Sequence, residues 1–312
     1  MSQTRRSFLG VVTGAATAAL MPLTVDTAVA RAAKGLSISC NSYTWLTFYR
    51  RAGKEWMGNP DESMTEYAAS GLQNYEPGVT DVEEIQALGP LLRQYAIGIP
   101  SMYANSTLHQ PDTAPQSIEL VMKIALAAKA LGTRIIVTNP SPIRWDSPED
   151  KDDAALTVQA ANLEKLGSLL KAQGMTLAYH NHDIELRQGA REFHHMMTST
   201  DPRYVSLCLD AHWVYRGMGN SQVALMDVVH LHGKRIAELH LRQSTGHIWS
   251  EVFGKGDIDY QRLVTELVRL KVRPHLVMEQ CVEEKTTNTI DVVAAHRQGL
   301  KYVKEVFAPL AV

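Results

Sequence analysis

Residues 175–182 read MTLAYHNH, a short apolar run that ends in two histidines. The same shape recurs downstream in YVSLCLD (204–210), RIAELH (235–240) and PHLVME (274–279), each closed by one polar residue. The closing residues His180, Asp210, His240 and Glu279 stand 30, 30 and 39 positions apart, the length of one strand-loop-helix-loop unit in a parallel barrel. Parallel strands in a barrel all end at one face, so residues remote in sequence meet there. Two imidazoles and two carboxylates on one rim predict an N/O site for a divalent ion such as Mn, Zn, Fe or Co.

Working outward, eight β-type runs are found, at 36–46, 71–79, 95–104, 133–139, 175–182, 204–213, 235–242 and 274–280. Segments of helical periodicity separate them, several closed by Gly, as expected just beyond a helix C-terminus. Asp257 and Asp259 give the segment after GKG an acidic helix start. Strand and helix in alternation predict parallel βα units, and eight of them favour a closed (β/α)8 TIM barrel over an open doubly wound sheet. The second run is the weakest, because Asn74 and Pro77 stand where apolar residues belong. No Pro/Gly/Ser-rich linker interrupts 31–312, which reads as a single domain.

Residues 1–30 read as an export signal: Arg5 and Arg6, then an apolar stretch of small residues, then Ala28-Val29-Ala30 as a cleavage site. The apolar stretch is shorter than the ~20 residues of a membrane span and is broken by Pro22. The segment resembles twin-arginine (Tat) signals, which implies transit through the Tat export machinery in a folded state and a periplasmic location. Lys+Arg 31 against Asp+Glu 33 gives a formal net charge of −2, so no basic surface for nucleic acid is implied. Cys40, Cys208 and Cys281 each lie inside an apolar run and read as buried free thiols.

Period-2 alternation in AYHNH puts His180 and His182 on one strand face, pointing into the barrel mouth. An Asp after SLCL is a buried charge that needs a positive partner; Arg216 and Arg242 compete with a metal for that role. His212 follows as a neighbouring support or substrate contact and Trp213 as a flat wall for a sugar ring. ELHLRQ puts His240 beside Arg242, a cation able to polarise a substrate oxygen. Glu238 lies deeper and reads as a barrel-layer ion pair. GHIWSEVFGKG reads as a loop over the active face that offers Trp249, Glu251 and Lys255 to substrate; it lacks the third glycine of a dinucleotide-binding loop.

On AYHNHDIEL, CLDAHWVYRG, ELHLRQS with EVFGKGDIDY, and VMEQ, the chain resembles the xylose isomerase-like TIM-barrel superfamily of sugar isomerases, epimerases and dehydratases. That resemblance implies one divalent ion, Mn first and Zn, Co, Fe or Mg as alternatives, held by Asp210, His240, Glu279 and a fourth ligand, His180 or His182. The family's ketose epimerases use two metal-bound glutamates; here a histidine replaces the first, which weakens strict two-carboxylate epimerisation. The Y-H-N-H pattern is similar to exported sugar phosphate isomerase/epimerase-type proteins, some resembling lyases and hydratases of 3-keto-glycosides.

The expected chemistry is proton abstraction next to the carbonyl of a keto-sugar or 3-keto-glycoside, with a metal-stabilised enediolate. Glu279 or His182 takes the proton, Arg242 holds the oxyanion and Glu185 orients a hydroxyl. Isomerisation, epimerisation and elimination share that first step. Two other readings are an apurinic endonuclease-like metal phosphodiesterase, disfavoured by the balanced charge, and a noncatalytic exported carbohydrate-binding barrel. A homo-oligomer is left open.

Overall fold

The computed structural model describes residues 35–311. The export signal expected over 1–30 lies outside the described residues. Eight parallel strands build the barrel: β1 (Ile38–Asn41), β2 (Tyr75–Glu76), β3 (Ser101–Tyr103), β4 (Ile135–Thr138), β5 (Thr176–His180), β6 (Val205–Asp210), β7 (Ile236–Leu241) and β8 (His275–Met278). Each follows the next in space, and β1 pairs with β8. The ring closes between β2 and β3 through Tyr75 N–H to Gly98 O at 2.8 Å and Tyr103 N–H to Pro77 O at 2.9 Å. The TIM barrel read from the sequence is the fold observed.

The helices between the strands start where the sequence supplies a cap. Asp81, Asp152, Ser221, Asp259 and Asp291 each accept a hydrogen bond from the backbone amide three residues on, satisfying one of the free donors of a first turn. Gly132 and Gly174 follow two of the helices with φ of 104° and 70°, a conformation that a side chain would disfavour.

All eight strands are shorter than the runs read from the sequence, and two of them, β1 and β6, for the same reason. Asn41 caps a helix over Ser42–Arg51, and Asp210 caps one over Ala211–Gly217. The aromatic residues of SYTWL and AHWVY, which favour strands by propensity, are therefore helical. The three cysteines are free and buried, as expected. No helix of the described residues is long and apolar enough to cross a membrane.

Register decides what meets at the rim. Asp210 on β6 pairs with His240 on β7, and Val277 on β8 pairs with that same His240. Glu279 lies just past β8, its N–H donating to Leu241 O at 2.9 Å. His180 on β5 pairs with Cys208, two residues before Asp210, so β5 is staggered against β6. A stagger of that kind is what barrel closure imposes.

Candidate active site

Asp210 divides its two oxygens between structure and site. Oδ1 accepts the Trp213 amide at 2.8 Å, the cap that starts the short helix. Asn181, just past the end of β5, clamps the Asp210 backbone on both sides: its Oδ1 accepts the amide at 3.1 Å and its Nδ2 donates to the carbonyl at 3.2 Å. Oδ2 is left without a hydrogen-bond partner, 3.8 Å from His180 Nε2, which is equally bare. Both residues are buried, and buried polar atoms without hydrogen bonds are rare enough to require an explanation.

His240 and Glu279 complete the group. His240 Nδ1 lies 3.1 Å from Glu279 Oε2, and one donor atom from each of His180, Asp210, His240 and Glu279 fits within 4.8 Å of every other. An ion about 2.0–2.2 Å from nitrogen and oxygen ligands spans such gaps. The two orphaned atoms and the N2O2 donor set together fit a divalent ion. His182 stands beside this group, its ring centroid 4.7 Å from that of His180.

Arg242 supplies the fixed positive charge. Its Nη2 is 3.0 Å from Glu279 Oε2 and 4.0 Å from Asp210 Oδ2, and its Nε donates to the Glu279 carbonyl at 2.9 Å. Trp249 and Trp213 cover the guanidinium at 4.3 and 5.0 Å. Of the two cations that the sequence offered to Asp210, Arg242 is the one that reaches it; Arg216 pairs instead with Glu283 at 3.1 Å.

Burial and these charges set the protonation. Burial pushes Asp210 up to about 7 against the pull of Arg242. Burial also works to raise Glu279, but Arg242 and His240 outweigh it and hold the carboxyl well below its usual range. Burial lowers both strand-five imidazoles, His180 well below its ordinary value and His182 to about 4, so both present lone pairs at neutral pH. His240 goes the other way: burial opposes its charge, yet Cys208 and the Glu76 and Glu279 carboxylates raise it well above the ordinary imidazole value. A divalent ion would replace that proton.

Beneath His240 lies a carboxyl pair that the sequence reading half found. Its Nε2 sits 3.2 Å from Glu238 Oε1 and 3.3 Å from Glu76 Oε1. Glu238 lies in the barrel layer against His240, as expected, but as a neutral hydrogen-bonding carboxyl and not as an ion pair. Glu76 was not anticipated: it sits on the two-residue β2, too short for alternation to show. It accepts from Asn41 Nδ2 at 2.5 Å and Ser101 Oγ at 3.0 Å. Burial works to raise Glu76, but His240 outweighs it and holds Glu76 at about 2; burial and then Glu76 push Glu238 well above the usual carboxylate range.

The rim opens into a cavity of about 560 Å³ whose walls include His182, Arg242, Glu279, Trp213, Trp249 and Tyr103. Tyr103 was also missed; its hydroxyl is 3.4 Å from His180 Nδ1. Four expected substrate contacts are placed elsewhere. Glu185 is buried behind the site, accepting the His182 amide at 2.6 Å and Asn139 Nδ2 at 3.1 Å, so it orients the His182 segment and not a hydroxyl. His212 is buried against Ser244 Oγ at 3.0 Å. Glu251 is consumed by Arg51 at 2.9 Å and by the Thr287 and Thr289 hydroxyls at 3.0 and 2.8 Å. Lys255 is exposed and does not line the cavity. For Glu185, His212 and Glu251 a partner lies on another element, which local sequence does not reveal.

Residues 64–306 match the family described as xylose isomerase-like TIM barrel. The chain belongs to that family. Among relatives of this xylose isomerase-like barrel, an inosose dehydratase of Clostridium perfringens is 25% identical over 271 residues, covering 78% of this chain and 89% of that one. Solved structures that share the fold include these two. A 3-keto-D-glucoside 4-epimerase from E. coli superposes with a TM-score of 0.60 at 14% identity, covering 86% of this chain and 99% of that one. A xylose isomerase-like TIM barrel protein from Mycobacterium smegmatis in complex with magnesium gives 0.67 at 12% identity, covering 88% and 98%.

Proposed function

We propose that this barrel is a divalent-metal-dependent isomerase, epimerase or lyase acting on a keto-sugar or 3-keto-glycoside by removing the proton next to the carbonyl. The observation that carries this reading is the convergence of His180, Asp210, His240 and Glu279 within 4.8 Å at a cavity walled by tryptophans. The named activities of its relatives, a dehydratase and a keto-glucoside epimerase, agree with it.

His180, Asp210, His240 and Glu279 would hold the ion, which supplies a Lewis acid that acidifies the carbon beside a bound carbonyl. His182, neutral and on the cavity wall, accepts or returns a proton on one side of the sugar. Glu279, held ionised by Arg242, is the second proton acceptor. Arg242 places its charge where negative charge develops on the substrate oxygen. Trp213 and Trp249 exclude water and offer planes for the ring. Only the nature of the group at the next carbon separates return of the proton from β-elimination, so the one site serves either outcome.

The test is proton NMR in deuterated water with metal-loaded protein and a 3-keto-glucoside. Deuterium enters the α-position in wild type. His180→Ala and Glu279→Gln each lower exchange and turnover by at least about a hundredfold. Unaltered exchange in either variant overturns the assignment; metal and sugar binding with no exchange at all would show a noncatalytic binding barrel.

A further inference from the structure

The cavity is larger than the chemistry at its floor requires. Its volume of about 560 Å³ lies well inside the roughly 300–1,000 Å³ of pockets that enclose drug-sized ligands. The inner tryptophans lie against Arg242 at 4.3 and 5.0 Å, beside the floor. Above them stand two aromatic side chains of another kind. Trp145 is 54% exposed and Tyr43 46%, and among the described residues no other Phe, Tyr or Trp is as open to solvent. Both line this same cavity.

Leaving such rings in water forgoes the burial that stabilises aromatic residues, and two of them gathered at one cavity mouth mark a place that something apolar-faced covers. Trp145 is also held in place. Its ring meets His182 edge-on at 5.1 Å and 88°. Its loop is tied down by Arg187 Nη1 donating to Ser147 O at 3.3 Å and by the buried Lys151, which donates to Pro140 O at 3.1 Å and pairs with Glu192 at 2.7 Å. The mouth also carries Asn105, Asp183 and Arg187, donors and acceptors suited to hydroxyl groups. A flat aromatic plane beside hydrogen-bonding side chains matches a pyranose, whose C–H face meets the electron-rich ring while its hydroxyls point sideways.

We propose that Trp145 and Tyr43 form an outer subsite for a second sugar ring, so that the substrate is a keto-glycoside carrying a sugar aglycone and not a free keto-sugar. This rests on the proposed reading of the floor as the place where the keto ring reacts. It makes the inner residues the seat of chemistry and the outer pair the seat of selectivity.

The test compares kcat/KM of the full, metal-loaded chain on a 3-keto-disaccharide with that on a methyl 3-keto-glucoside. The two-ring substrate is favoured by about threefold to tenfold, the fold-change expected of one stacked ring. Trp145→Ala and Tyr43→Ala each shrink that ratio, and Trp145→Phe keeps it. A ratio near one in wild type, or the same ratio in Trp145→Ala and Tyr43→Ala, overturns the subsite. If neither compound is turned over, the floor's chemistry is wrong and calorimetry decides the subsite alone. Wild type then binds the unoxidised disaccharide more tightly than methyl glucoside and Trp145→Ala does not; equal binding of the two by wild type overturns it.

Discussion

Asp210 shows how one residue type at one position serves fold and site together. Its Oδ1 starts a helix, which fixes χ angles and aims Oδ2 at His180. Because burial holds its carboxyl up near 7, the ion-free protein keeps a proton there below that pH, and binding must expel it. Affinity for Mn²⁺ is therefore expected to fall by at least about tenfold per pH unit below about 7; calorimetric titration between about pH 5.5 and 8 measures it, and a flat profile contradicts it. Glu76 acts one layer down, through His240. With Nδ1 turned to Glu279 and Nε2 to Glu76 and Glu238, the ring is held from behind as metal-bound histidines usually are. Glu76→Gln removes the ionised partner and is expected to weaken Mn²⁺ binding by about 10–100-fold without loss of helical circular dichroism. Unchanged affinity would show that the pair is only a structural element of the barrel layer.

At the scale of elements, the site is made of strand ends and the turns that follow them, and this is why it was partly legible. An apolar run closed by a ligand-type side chain survives as a pattern in sequence, so His180, Asp210, His240 and Glu279, which the structure brings within 4.8 Å of one another, could be named from it. Residues whose partners come from another element were not. Glu76 hides in a two-residue strand; Glu185 and Glu251 looked like free acids because Asn139, Arg51 and Thr289 lie 46, 200 and 38 positions away. Strand ends were overrun at Asn41 and Asp210 because an Asn or Asp can close a strand and open a helix at once. Glu251 is the knot that ties the loop after β7 to Arg51 and to the segment before the last helix. Glu251→Ala leaves several donors unpaired and is expected to cost about 2 kcal/mol, read as a fall of several degrees in Tm. A Tm equal to wild type with weaker sugar binding would restore the substrate role first expected of it.

At the scale of the molecule, a closed parallel barrel turns a sequence rhythm into a point of convergence. Eight apolar runs sufficed for the fold because strand count and alternation leave few ways to bury them. The match to the xylose isomerase-like family over 64–306 agrees with that reading. What the rhythm alone does not reveal is depth. The layer of Glu76, Glu238 and His240, and the rim of Trp145 and Tyr43, depend on stagger between strands and on loop paths. Both follow from the barrel and neither is written in any one segment. The account stands on four strand tips meeting around one ion, and metal content after dialysis against Mn²⁺ tests this most directly. About one ion per chain in wild type, falling to near zero in His240→Ala, is the result predicted; a wild-type chain that retains no ion, or a His240→Ala chain that retains as much as wild type, contradicts it.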